Sequence, residues 1–220
     1  MKIALIDPSI FIRIGFTLIA ISLGLAVIFF YPVLIQEARY LFRSSSGGDV
    51  EVVVEESPEG SDTVVKEGKK KIEPVDKEFG IVIPKINANA SVVKDVDYQD
   101  PKEYQRALTK GVAHAEGTKL PGQFGNVFIF SHSSVNFYEA RRFNSIFYLL
   151  HKLEAEDKFY LIYAGEVFEY KVTEKKIVAA DAVKYLGNRG GKKTATLMTC
   201  WPPGTTHRRL IVISELVNVD

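Results

Sequence analysis

Apolar positions follow three different patterns along the chain. From Ile14 to Leu34 they are nearly continuous, and the only polar side chains are Thr17, Ser22 and Tyr31. A run of about 20 such residues is enough to cross a hydrocarbon core as a helix. Its exit carries Phe29, Phe30, Tyr31 and Pro32 rather than small residues suited to cleavage. The expectation is therefore an uncleaved transmembrane anchor with aromatics at the interface, not a signal that is removed. Lys2 and Arg13 precede the run and Arg39 and Arg43 follow it, so local charge leaves the orientation open.

The second pattern is polar. Ser44 to Gly48 open it, acidic residues (Glu51, Glu55, Glu56, Glu59, Asp62) follow, and Lys69, Lys70 and Lys71 come last. High charge and few aromatics describe a solvated tether. The short apolar breaks Val52–Val54 and Val64–Val65 are read as part of that tether rather than as strands. The expected division is 1–43 for the tip and anchor, 44–77 for a flexible linker, and 78–220 for one folded domain.

Beyond Glu78, short apolar runs alternate with turn signals. Phe79–Ile83, Ala90–Val93, Asn126–Ser131, Lys158–Tyr163, Val167–Thr173, Lys176–Ala179, Thr194–Thr199 and Leu210–Ile213 read as strands. Ala164-Gly165-Glu166 marks a hairpin between two of them. Two short helices are expected, near Pro101–Leu108 behind Asp100, and near Asn144–Leu150. Closely spaced strands with few helices make the domain all-β, a barrel or a sandwich.

Composition adds one exclusion. With 28 basic and 27 acidic residues in 220, the chain has no bulk basic footprint, so no nucleic-acid partner is expected. It has one cysteine, Cys200, which rules out an internal disulfide. Cys200 ends a β-rich run and precedes Arg208 and Arg209. A thiol with an ordinary pKa near ~8.5 needs a neighbour to act as a nucleophile at neutral pH, and the alternative is a buried structural cysteine. Four histidines are candidate partners. His132 follows the strongest strand and opens a polar run. His114 precedes a Gly/Pro-rich loop, His151 is placed to cap a helix end, and His207 sits in the loop beside the arginines.

Thr-Leu-Met-Thr-Cys at 196–200, followed by Arg-Leu-Ile-Val at 209–212, resembles the signature of the sortase family of membrane-anchored cysteine transpeptidases. Ile83-Pro84-Lys85-Ile86 resembles the family's first-strand motif. Gly111 to His114, Leu120-Pro121-Gly122 and Gly125-Asn126 resemble its central loop. Ile129-Phe130-Ser131-His132 resembles the strand that delivers the catalytic histidine, although Ser131 stands where the family more often has Gly. The order anchor, linker, domain is the family's usual layout.

The resemblance implies an eight-stranded β-barrel and catalytic roles for Cys200, His132 and Arg209. Arg209 rather than Arg208 is selected because it directly precedes the apolar triplet Leu210-Ile211-Val212. Thr199 and Trp201 are implied at the substrate groove, Trp201 with rim cover as its alternative. Ser133 and Ser134 read as turn formers, and Arg141 and Arg142 as a surface pair. The implied reaction cleaves a sorting-signal peptide of surface proteins through a thioacyl-enzyme and passes it to an amine of the cell envelope. It needs no metal or organic cofactor, and it places the domain outside the cytoplasm on a single-pass anchor. Three alternatives stay open: a cysteine endopeptidase resolved by water, a pilus-polymerising relative, and a non-catalytic surface-anchored binding barrel. The absence of an aromatic lid or a second apolar stretch favours anchoring over polymerisation.

Overall fold

The computed structural model describes residues 8–43, 50–54, 70–133, 146–187 and 190–219. Ser134, Arg141, Arg142, Val64 and Val65 lie outside them. Helix α1 runs Pro8–Arg43, and within it Ser9–Ile28 is long and apolar enough to cross a membrane, with a mean hydropathy of 2.2. The spanning stretch thus begins earlier than the expected Ile14, because Ile10, Phe11 and Ile12 extend the apolar surface around Arg13.

Two short strands fall inside the segment read as linker. Strand β1 (Val50–Val52) pairs in parallel with β2 (Lys70–Ile72). Val52, Val54 and Ile72 pack against Val82, Tyr160, Ile162 and Val167. Just after them, Asn89 accepts from the Val75 amide and donates to the Glu73 carbonyl, while Asp76 accepts from the amides of Glu78 and Phe79.

The remaining strands close into one barrel. They are β3 (Phe79–Ile83), β4 (Ala88–Val96), β5 (Val112–Ala115), β6 (Gly125–Phe130), β7 (Lys158–Tyr163), β8 (Glu166–Ala179), β9 (Lys193–Trp201) and β10 (Arg208–Val219). Their order around the barrel is β10-β8-β7-β3-β4-β5-β6-β9. The β4/β5 and β6/β9 pairs are parallel and the others antiparallel. Closure leaves the barrel itself without an edge strand.

Alternation sorts the side chains to two cores. Ile81, Ile83, Val127, Ile129, Phe159, Leu161, Tyr170, Leu197, Leu210 and Val212 fill the barrel. Phe128, Phe130, Ile211 and Ile213 face outward and are covered by Ala107 and Leu108 of helix α2 (Pro101–Leu108) and by Tyr185. Strands buried on both faces need apolar residues at every position, which explains the continuous runs Val127–Phe130 and Leu210–Ile213. Helix α2 starts where Asp100 accepts from the Lys102 amide, with Pro101 in its first turn.

Besides β1 and β2, three elements differ from the sequence expectation. Lys176–Ala179 is not a separate strand but the end of the 14-residue β8, whose solvent-facing Glu174 and Lys176 pair with each other. β5 restores the number eight. Of the helix expected near Asn144, the described part is a 3₁₀ turn at Tyr148–Lys152.

Candidate active site

Strand period places every second residue of β9 on the outer face: Thr194, Thr196, Met198 and Cys200. In the β9–β10 ladder Cys200 pairs directly with Arg209, and Trp201 with Arg208. On β6, which runs parallel to β9 with Phe130 opposite Met198, the chain continues from Phe130 to His132. Three chain segments therefore bring Cys200, Arg209 and His132 to one end of a groove of about 490 Å³. Its floor is Phe128, Phe130, Met198 and Ile211, one wall is Tyr98, Tyr104 and Leu108, and the other is Ala182, Val183 and Leu186.

Cys200 is a free, half-buried thiol. The Arg209 guanidinium is anchored through Nη1, which donates to the carbonyls of Thr206 (3.0 Å) and Arg208 (3.1 Å). Among the described residues its Nε and Nη2 groups make no hydrogen bond, so those donors remain for a ligand in the groove. Arg208 is exposed and does not line the groove. Thr199 is buried beside Cys200, and its hydroxyl donates to the Ser131 carbonyl at 2.8 Å while the Ser131 amide donates to the Met198 carbonyl. This cross-link ties the end of β6, and hence His132, to the strand that carries Cys200.

Trp201 is not brought into the groove. It faces the barrel side, packs on the interior core, and lies 5.5 Å from the His151 ring. His151 Nδ1–H donates to the Tyr148 carbonyl at 3.1 Å, and burial pulls its pKa down. His207 is exposed in the β9–β10 loop.

His114 is fully buried on β5. Its Nδ1 accepts from the Asp95 amide at 3.2 Å. The Thr118 hydroxyl gives its proton to the Ala115 carbonyl, so Nε2 carries the ring proton and donates toward Lys119 O and Thr118 Oγ1. Burial pushes the pKa of His114 below 6.5, against the raising effects of the Lys119 hydrogen bond and Asp95. His114 is thus a neutral core histidine, remote from the cysteine.

One residue that sequence reasoning did not single out for the site is Asn126, fully buried on the groove face of β6. Two signals were available: its polar side chain opens an otherwise apolar strand, and Gly125-Asn126 is among the motifs that carry the family resemblance.

The sortase family model, described as "Sortase domain", matches residues 81–217. The chain belongs to the sortase family. Among solved structures it is similar to sortase C-1 from Actinomyces oris (28% identity, 66% of this chain and 76% of that one, TM-score 0.55). A lid mutant of sortase A from Corynebacterium diphtheriae aligns at 26% identity over 66% and 72% of the two chains, with a TM-score of 0.55. Sortase C1 of GBS Pilus Island 1 aligns at 25% identity over 64% of each chain, with a TM-score of 0.54. No curated protein sequence matches the chain. The closed barrel is the sortase fold, and family membership makes the protein a transpeptidase.

Proposed function

We propose that this sortase uses Cys200, His132 and Arg209 to transfer the acyl part of a sorting-signal peptide to an amine of the cell envelope. The observation that carries this reading is the direct pairing of Cys200 with Arg209 at the end of a groove that His132 also lines. The Cys200 thiolate attacks the scissile carbonyl carbon. Negative charge develops on the carbonyl oxygen, and the remaining Arg209 donors stabilise it without changing protonation. Collapse breaks the C–N bond while protonated His132 gives its proton to the departing amine, leaving a thioester on Cys200. An incoming amine then attacks the thioester carbonyl, neutral His132 takes its proton, and the thiolate departs as the new amide forms. No step calls on a metal or an organic cofactor.

The groove fits an extended peptide with apolar side chains, since its floor and both walls are largely apolar and its charged lining residues are Arg209 and, when protonated, His132. The stretch Ser9–Ile28 anchors the chain in the membrane, with the N-terminus inside and the barrel outside, where surface proteins and envelope amines meet it. A second reading has the same chemistry. It is a pilus-polymerising sortase, whose acceptor is an amine of another protein subunit, and the likeness to the sortase of a pilus island supports it.

The experiment is a ligation assay with full-length protein in detergent, a peptide library, and either a short glycine peptide or a lysine-bearing peptide as acceptor. A ligated amide product supports transpeptidation, and the better acceptor separates the two readings. Cleavage with water as the sole acceptor would make the protein an endopeptidase.

A further inference from the structure

We infer that Asn126 is a positioning residue that sets the donor-peptide affinity of the groove by holding one of its walls. The inference rests on the acyl-transfer reading of that groove. The wall is the β8–β9 connection, where a 3₁₀ turn at Val183–Tyr185 is flanked by Ala182 and Leu186. Ala182, Val183 and Leu186 face the groove, and Tyr185 plugs the outer core.

The carbonyls at the end of such a turn have no partner within it. Asn126 supplies one from a neighbouring strand. Its Nδ2 donates to the Tyr185 carbonyl at 2.9 Å and reaches the Leu186 carbonyl at 3.4 Å. Its Oδ1 accepts from the Thr196 hydroxyl (2.9 Å) and shares the Thr194 hydroxyl proton with the Gly125 carbonyl (3.1 Å to each), both threonines standing on the groove face of β9. Two donors and two acceptor sites exhaust the hydrogen-bonding capacity of an amide side chain. A buried Asn in an apolar strand is costly unless satisfied, and here every side-chain bond points to the wall or to the strand that carries Cys200.

Asn126 thus joins three elements: the β6 strand that leads to His132, the β9 strand that leads to Cys200, and the loop between β8 and β9. It touches none of the reacting groups. Its effect is on where Ala182, Val183 and Leu186 sit relative to Phe128, Phe130 and Met198, which fixes the width of the apolar slot for a donor side chain.

Asn126→Asp isolates this link. It keeps the size of the side chain and both acceptors for the threonines, and replaces the Nδ2 donor with an oxygen facing two carbonyls. In full-length protein, amides of residues 182–187 should exchange with deuterium about tenfold faster than in the wild type, while those of 194–199 stay within about twofold. With a fluorogenic library of short peptides that are apolar before the scissile bond, KM should rise about tenfold and kcat stay within about twofold. Iodoacetamide should label Cys200 at an unchanged rate. Asn126→Ala, which also removes the threonine acceptor, serves for the exchange at 182–187 and for KM if the aspartate variant does not fold. Unchanged exchange at 182–187, or a collapse of kcat at constant KM, overturns the inference. If the wild type turns over no peptide at all, the functional reading fails, and the exchange measurement still decides whether Asn126 holds the wall.

Discussion

Arg209 stands opposite Cys200 across the β9–β10 ladder, while Arg208, one residue earlier, stands opposite Trp201. Adjacent strand residues face opposite sides, so only one of the two guanidinium groups shares a face with the thiol.

Arg209→Ala is therefore expected to lower the peptide-cleavage rate by about 100- to 1,000-fold, the usual cost of losing an oxyanion donor. Arg208→Ala is expected to leave it within about threefold, as for an exposed surface charge. Arg209→Lys recovers little, because a point charge cannot both hold the loop carbonyls and present a planar fork to substrate. Equal losses at the two positions would contradict the register argument.

His132 and His114 separate on two measurements. His132→Ala should reduce cleavage about 100- to 10,000-fold, the range for a general acid–base group. His114→Gln should keep most activity but alter stability against pH. The folded-state pKa of His114 lies below its unfolded value of 6.5, so the unfolded chain binds the proton more readily. The stability linked to His114 is fully present above about pH 6.5 and is lost as pH falls toward the lowered folded value. His151 is lowered in the same direction and adds to the slope. Thermal melts from about pH 7.5 to about pH 5 should show the wild type losing stability faster than His114→Gln. Parallel curves would contradict the assignment.

The segment before the barrel also makes a measurable contribution. A chain of residues 78–220 keeps all eight barrel strands, and cooperative unfolding is expected of it. It loses the cover that Val52, Val54 and Ile72 give to Val82, Tyr160, Ile162 and Val167. It also loses the Asp76 and Asn89 links to residues 73–79. Removing the three covering apolar side chains costs about 2 kcal/mol, or roughly 4–8 °C in Tm for a domain of this size, relative to residues 50–220. Equal melting temperatures would show that the two-stranded cover is energetically idle.

Much of the barrel was readable in the chain because its strands bury both faces and so appear as unbroken apolar runs. The elements that were not readable share a physical reason. β5 is only four residues long, and its His114 reads as polar until Asp95, Thr118 and Lys119 are seen to satisfy it. β8 looks interrupted at Glu174–Lys176 because that stretch is half-exposed, yet its backbone continues the ladder to β10 through a bulge. The β1/β2 pair joins residues separated by a long polar stretch, which no local pattern signals. At the site, alternation and the Leu-Ile-Val triplet point to Arg209, but the same alternation turns Trp201 to the barrel side and out of the groove, whose lining still includes Thr199. The Asn126 network depends on three elements meeting, which spacing alone does not reveal.

The most direct test of the central claim is intact-protein mass spectrometry of the full-length chain mixed with a donor-peptide library and quenched during turnover. The expected result is a protein mass increased by the acyl portion of one peptide, mapped by fragmentation to Cys200. The adduct should disappear, with formation of an amide product, on addition of an amine acceptor, and it should never form in Cys200→Ala. Cleavage that continues in Cys200→Ala, or turnover with no adduct on Cys200 at any quench time, would contradict it.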